Sequence, residues 1–97
     1  MLVVIFRARM RELDAQYTQT AARMRELALK EFSCLEFYSL SEGDEEVALS
    51  YWPDEASIKA WREHPEHKEA QRIGQEKWYH SYSVEVANIS RDYRMPS

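Results

Sequence analysis

Four residues in the second half of the chain have types and spacing suited to chemistry: His67, Gln71, Gly74 and Trp78. Laid on a helix, steps of four, three and four put them on one face. A face that only filled a core would carry Leu or Ala there. This one offers an imidazole able to act as a general base or proton donor near neutral pH, an amide that donates and accepts hydrogen bonds, and an indole wall. Gly74 inside a helix costs about 1 kcal/mol relative to alanine, which points to a close approach, either of the sheet backbone or of a ligand. The stretch from Trp61 to Tyr79 holds two of the three tryptophans, two of the three histidines and one of the two glycines. It reads as a pocket wall.

Other residues extend or limit that reading. Trp61 points inward from a short helix in register with Ser57 and Ile58, as a core anchor or a pocket wall. His64 and His67 are three apart, but zinc needs three or four ligands and no further Cys or His lies at a recognised spacing, so no metal site is expected. His64 reads on its own as an end-of-helix residue, yet it stays among the candidate substrate-contacting residues with Trp61, Gly74, Trp78, Tyr38 and Trp52. Glu36 and Tyr38 share a strand face with Cys34 and Leu40, and Glu36 is open between a rim residue and a pocket acid. The two glycines stand alone, so no phosphate-cradling loop or flavin fingerprint is present and no cofactor is expected. There is no GxSxG elbow. Cys34 reads as a buried, inert thiol.

These residues need a scaffold. With 97 residues, 44% hydrophobic and 31% charged, the chain is expected to be one folded domain over 1–97. A net charge of −4 argues against nucleic-acid binding, which would need a basic stripe. No apolar run approaches a membrane span, and the opening MLVVIFRARM lacks the features of a secretory leader. With a single cysteine, a reducing cytoplasm is expected.

Residues 2–10 read as a strand, 12–30 as an amphipathic helix carrying Leu13, Tyr17, Ala21, Met24 and Ala28, and Cys34 to Leu40 as a second strand. Ser41 to Asp44 form a turn and Glu45 to Trp52 a third strand. Asp54 caps a helix over 54–63, which breaks at His64 because the residue before proline avoids the α region. Pro65 opens a helix to about Tyr79, and 82–93 form the last strand. The order is βαββαβ, an α+β ferredoxin-like arrangement with a four-stranded antiparallel sheet and helices on one face. The same order builds RNA-recognition domains, but the third strand, EEVALSYW, is acidic and glycine-free. Both sheet faces look apolar, which predicts a homodimer joined through the uncovered faces.

The stretch SYWPDEASIKAWREHPEHKEAQRIGQEKWYHSYSVEVANISRDY resembles the C-terminal half of the antibiotic biosynthesis monooxygenase family, within the dimeric α+β barrel superfamily. The matching points include Tyr51-Trp52, Asp54-Glu55, Trp61, His64, His67, Ala70-Gln71, Gly74, Trp78-Tyr79, Tyr82 and Tyr93. The first strand and helix match only in pattern, and Glu31-Phe32-Ser33-Cys34 replaces the Gly-Phe pair usual before strand two. The resemblance implies a homodimeric barrel with a cavity in each subunit. It also implies oxidation of an aromatic or quinol-type small molecule by dioxygen without a cofactor. Trp61 and Trp78 would then be walls, His67 the proton acceptor and Gln71 a hydrogen-bond donor, the last two being the candidate catalytic residues. Other relatives degrade haem through a histidine ten residues after the helix tryptophan and an asparagine on strand one. Here Gln71 and about Phe6 stand at those places, which leaves the iron no axial imidazole unless His67 substitutes, so haem degradation is the weaker expectation. A non-catalytic small-molecule-binding or stress-associated dimer is the alternative.

Overall fold

The computed structural model describes residues 1–96. Strand β1 (Leu2–Met10) leads to helix α1 (Ala15–Glu31), followed by the hairpin β2 (Glu36–Glu42) and β3 (Glu45–Trp52). Helices α2 (Glu55–Glu63) and α3 (Pro65–Ile73) come next, then a π-helical turn over Gly74–Trp78 and strand β4 (Tyr79–Asn88). The sheet is antiparallel in the order β2-β3-β1-β4. This is the expected ferredoxin-like α+β arrangement, with the helices on one face.

Local chemistry sets the element ends. Asp14 caps α1, its Oδ1 accepting the Tyr17 N–H at 2.8 Å, and Asp54 caps α2 by accepting from Ser57 N–H at 2.8 Å. The first helix therefore starts after Leu13, not at residue 12, and Leu13 lies exposed outside it. His64 has φ −61° and ψ 136°, the extended geometry that a following proline imposes, so the break before Pro65 falls where the sequence places it. The β2–β3 turn is tighter than expected: Glu42 pairs with Glu45, leaving only Gly43 and Asp44 in the loop, with Gly43 at φ +61°. Cys34 lies ahead of β2 rather than within it; it is buried, and burial raises its thiol pKa.

Strand parity divides the sheet. Val4, Phe6 and Ala8 of β1 face the helices, as do Glu46, Ala48 and Ser50 opposite them on β3. One core cluster joins Val4, Leu27, Ala28, Trp52, Ile58 and Trp61, and a smaller one joins Ala8, Met10 and Trp78. Helices α1 and α3 are clamped by Arg23, whose guanidinium meets Glu66 at 2.9 Å. The other sheet face is open across Tyr38 (52% exposed) and Leu40 (62% exposed). The last strand begins at Tyr79 and ends at Asn88, not over 82–93. Beyond it the Ile89 N–H donates to the Met1 carbonyl at 3.0 Å, one step past the Leu2–Asn88 pair, and Arg94 reaches Glu36 on the opposite edge strand at 3.4 Å. Glu36 is therefore on the open face, not in a pocket.

Candidate functional site

Between the helices and the two core clusters lies a cavity of about 260 Å³. Its floor is the helix-facing side of the sheet, with Val4 and Phe6 at the centre and Ala48 and Ser50 beside them. Trp61 of α2 and His67 and Gln71 of α3 form one wall; Trp78, Tyr79 and Tyr82 close the other end, with Tyr17 above them on α1.

The Trp61 indole N–H donates to the Met24 carbonyl at 3.2 Å, which fixes its ring. The His67 imidazole then meets that ring edge-on, with centroids 4.4 Å apart and planes at 76°. Its Nδ1 is buried and, among the described residues, has no hydrogen-bond partner. A buried polar atom left unpaired costs free energy unless something completes it. Burial is the main cause that pulls the His67 pKa down to about 4, with the Arg62 guanidinium adding to it. His67 is thus a neutral imidazole at neutral pH, with an acceptor lone pair available on one of its nitrogens.

The far end is set by the π-helical turn. Such turns widen the helix by a residue and often re-aim side chains at sites. Here the turn carries Trp78 inward and passes directly into β4. The Arg11 N–H donates to the Trp78 carbonyl at 2.7 Å, and Lys77 pairs with the capping Asp14 at 2.9 Å. Lys77 is the chief cause that holds the Asp14 carboxyl below its usual range. Tyr17 and Trp78 then meet edge-on at 5.2 Å. Burial, helped by neighbouring tyrosines and Glu46, raises the hydroxyl pKa of Tyr17 and moves that of Tyr79 to about 12.

Of the residues expected at the site, His67, Gln71, Trp61 and Trp78 line this cavity together. Four others do not. His64 caps α3, its Nδ1 accepting the Glu66 N–H at 3.1 Å. Gly74 is approached by a side chain rather than by the sheet backbone; the Tyr79 ring lies against its Cα, and a Cβ there would stand 2.9 Å from Tyr79 Cδ2. Trp52 is completely buried beneath Trp61, its N–H donating to Ser50 Oγ at 2.8 Å. Tyr38 is on the open face, because β2 residues of its parity point away from the helices.

The cavity also holds groups that carried no expectation. Glu46 is one; counting back by twos from Ala48, Ser50 and Trp52 reaches it, so parity could have found it. Arg25 and Arg62 also line the cavity, and no sequence signal distinguishes them from other surface arginines. Among the described residues no group of three or more His, Cys, Asp or Glu could hold a metal ion. No helix is long and apolar enough to cross a membrane.

Fold and cavity together define a ferredoxin-like α+β protein with an aromatic-walled chamber between sheet and helices. The sequence profile described as antibiotic biosynthesis monooxygenase matches residues 1–73, and the chain belongs to that family. The match takes in the first strand and helix, which the resemblance covered only in pattern. YqjZ, an uncharacterised protein of Bacillus subtilis (strain 168), is 39% identical over 89 residues, covering 91% of this chain and 78% of that protein. Two solved structures share the fold at low identity. Rv0793 of Mycobacterium tuberculosis has a TM-score of 0.82 at 16% identity, covering 96% of this chain and 98% of its own. A variant of SnoaB, a cofactor-independent oxygenase from Streptomyces nogalater, has a TM-score of 0.79 at 12% identity, covering 94% of each chain.

Proposed function

We propose that this protein oxidises an electron-rich phenol or quinol-type aromatic with dioxygen, without a cofactor. The observation that carries the reading is the buried, unpartnered Nδ1 of His67 in an aromatic cavity. His67 and Gln71 both line that cavity, and His67 Nδ1 is not spent on its neighbour, as it would be in a merely structural pair.

The chemistry needs little from the protein beyond making the substrate anion. A phenol hydroxyl placed against Trp61 would give its proton to His67. Pairing with the phenolate relieves the burial penalty that otherwise keeps the imidazole neutral, and Arg25 and Arg62 add positive charge that favours the anion. The phenolate gives one electron to dioxygen, and the phenoxyl radical and superoxide combine to form a C–O bond at the para carbon. The peroxide takes the proton back from the imidazolium. Loss of the para C–H proton then breaks the O–O bond, forming the quinone carbonyl and releasing hydroxide, which leaves as water. In sum, phenol and dioxygen give quinone and water, with dioxygen the sole oxidant. Gln71 would donate a hydrogen bond to the substrate oxygen, and Trp61 and Trp78 would hold the ring plane.

The same reading includes a homodimer joined through the open sheet face around Tyr38 and Leu40, and a cytoplasmic location suited to a free thiol. Oxygen uptake by metal-free protein across a panel of phenols and quinols tests the reaction. His67→Ala should slow uptake about 100-fold, the lower range for losing a positioned acid–base group, with the circular dichroism spectrum unchanged. An unchanged rate would remove His67 from the mechanism.

A further inference from the structure

The cavity end opposite His67 carries a charge that the oxidation does not use. Glu46 stands directly across the sheet from Ala8, and Ala8 from Tyr82, so one cross-strand row sets a carboxylate near a tyrosine on the cavity floor. Its Oε2 accepts a hydrogen bond from Ser41 Oγ at 2.5 Å, and among the described residues it makes no ion pair. The nearby Arg9 lies with Asp44 and Glu45 instead.

Around this carboxylate the aromatic rings form a continuous wall. Phe6 and Tyr79 have centroids 5.4 Å apart, Phe6 and Tyr82 5.9 Å, and Tyr79 and Tyr82 5.5 Å. Tyr17 meets Tyr79 edge-on at 6.4 Å. Gln75 braces the outermost ring, its Nε2 donating to Tyr82 Oη at 2.9 Å. Aromatic faces with an adjacent anion make a site for a positively charged nitrogen.

The cationic side chains of the cavity sit at the other end. Arg62 acts on His67, and Trp61 meets Phe37, which pairs with Ser50. Ser50 lies four residues from Glu46, roughly 13 Å along the strand. Arg25 is eight residues from Tyr17, roughly 12 Å along α1. The chamber is therefore bipolar, with cations and a neutral base at one end and a carboxylate among rings at the other.

We propose that Glu46 with Phe6, Tyr17, Tyr79 and Tyr82 forms a subsite for an organic cation, a protonated or quaternary amine carried on the substrate's side arm. This rests on the cavity being the substrate site and specifies the substrate class as a phenol with a cationic arm. The test compares 3-[2-(trimethylammonio)ethyl]phenol with its neutral carbon isostere, 3-(3,3-dimethylbutyl)phenol, both of which keep the para C–H that the oxidation needs, by calorimetric titration of the intact protein. The ammonium compound is expected to bind about tenfold more tightly to the wild type, a preference of cation–π size. Glu46→Gln should abolish that preference and leave affinity for the isostere unchanged. Tyr17→Leu, which keeps the carboxylate, should reduce it. Equal affinities in the wild type, or a preference that survives both substitutions, would overturn the subsite. Oxygen uptake with both compounds separates this from the reaction. Uptake without a cation preference leaves the oxidation standing and removes the subsite. A Glu46-dependent preference without uptake establishes the subsite and removes the oxidation.

Discussion

Replacing Gly74 by alanine sets two effects of opposite sign against each other. Gly74 has φ −59° and ψ −45°, a backbone that alanine adopts freely, so helical propensity alone would favour the substitution by about 1 kcal/mol. The new Cβ, however, would stand 2.9 Å from Tyr79 Cδ2 and 3.3 Å from Cζ, well inside the roughly 3.5–4.0 Å optimum for carbon atoms. The ring is the end of a side chain and can move, but it is packed against Phe6 and Tyr82 and meets Tyr17. Overpacking of this kind costs about 1–3 kcal/mol. The net change is a loss of up to about 2 kcal/mol, each kcal/mol lowering Tm by roughly 4–8 °C at this chain length. Urea denaturation of Gly74→Ala, Tyr79→Ala and the double variant completes the cycle. In the Tyr79→Ala background the clash is gone, and Gly74→Ala should become neutral or stabilising. If it destabilises equally in both backgrounds, the Tyr79 ring is not what requires glycine there.

Because His67 has a folded pKa of about 4 against an ordinary 6.5, the unfolded chain binds the extra proton between those values. Stability should therefore fall as pH drops from about 6.5 to 4, by no more than about 3 kcal/mol from this group; His67→Phe should remove that part of the pH dependence, and identical urea profiles for the two proteins would contradict it. Trp61→Phe loses the hydrogen bond to the Met24 carbonyl as well as ring volume and should cost about 1–3 kcal/mol by chemical denaturation. Leu40→Asp on the open face should give monomers in sedimentation at micromolar concentration where the wild type gives dimers; a monomeric wild type would remove the dimer.

The order of elements along the chain and the break at Pro65 were legible because they rest on local rules, namely hydrophobic periodicity and the backbone restriction before proline. The spacing of His67 and Gln71 held because α3 is regular up to Ile73. Beyond it the π-helical turn changes the rotation per residue, so helical counting no longer says which way Gly74 to Tyr79 face, and it hid the early start of β4. Gly74 was readable as a close approach, but the partner is a ring five residues onward, brought back by a turn that no periodicity announces. His64 looked like chemistry because of its type; its nitrogen is spent on capping. Glu46 was within reach of strand parity, whereas Tyr38 required knowing which parity of β2 meets the helices, and only the pairing register decides that.

The central claim is that a neutral, buried His67 prepares a phenol for direct reaction with dioxygen. The most direct measurement is the initial rate of oxygen uptake by metal-free protein with an electron-rich phenol, comparing wild type with His67→Ala. Wild-type uptake matched by quinone formation, and reduced about 100-fold in the variant, is the predicted result. Equal rates in the two proteins, or no uptake with any phenol or quinol the cavity binds, would contradict it.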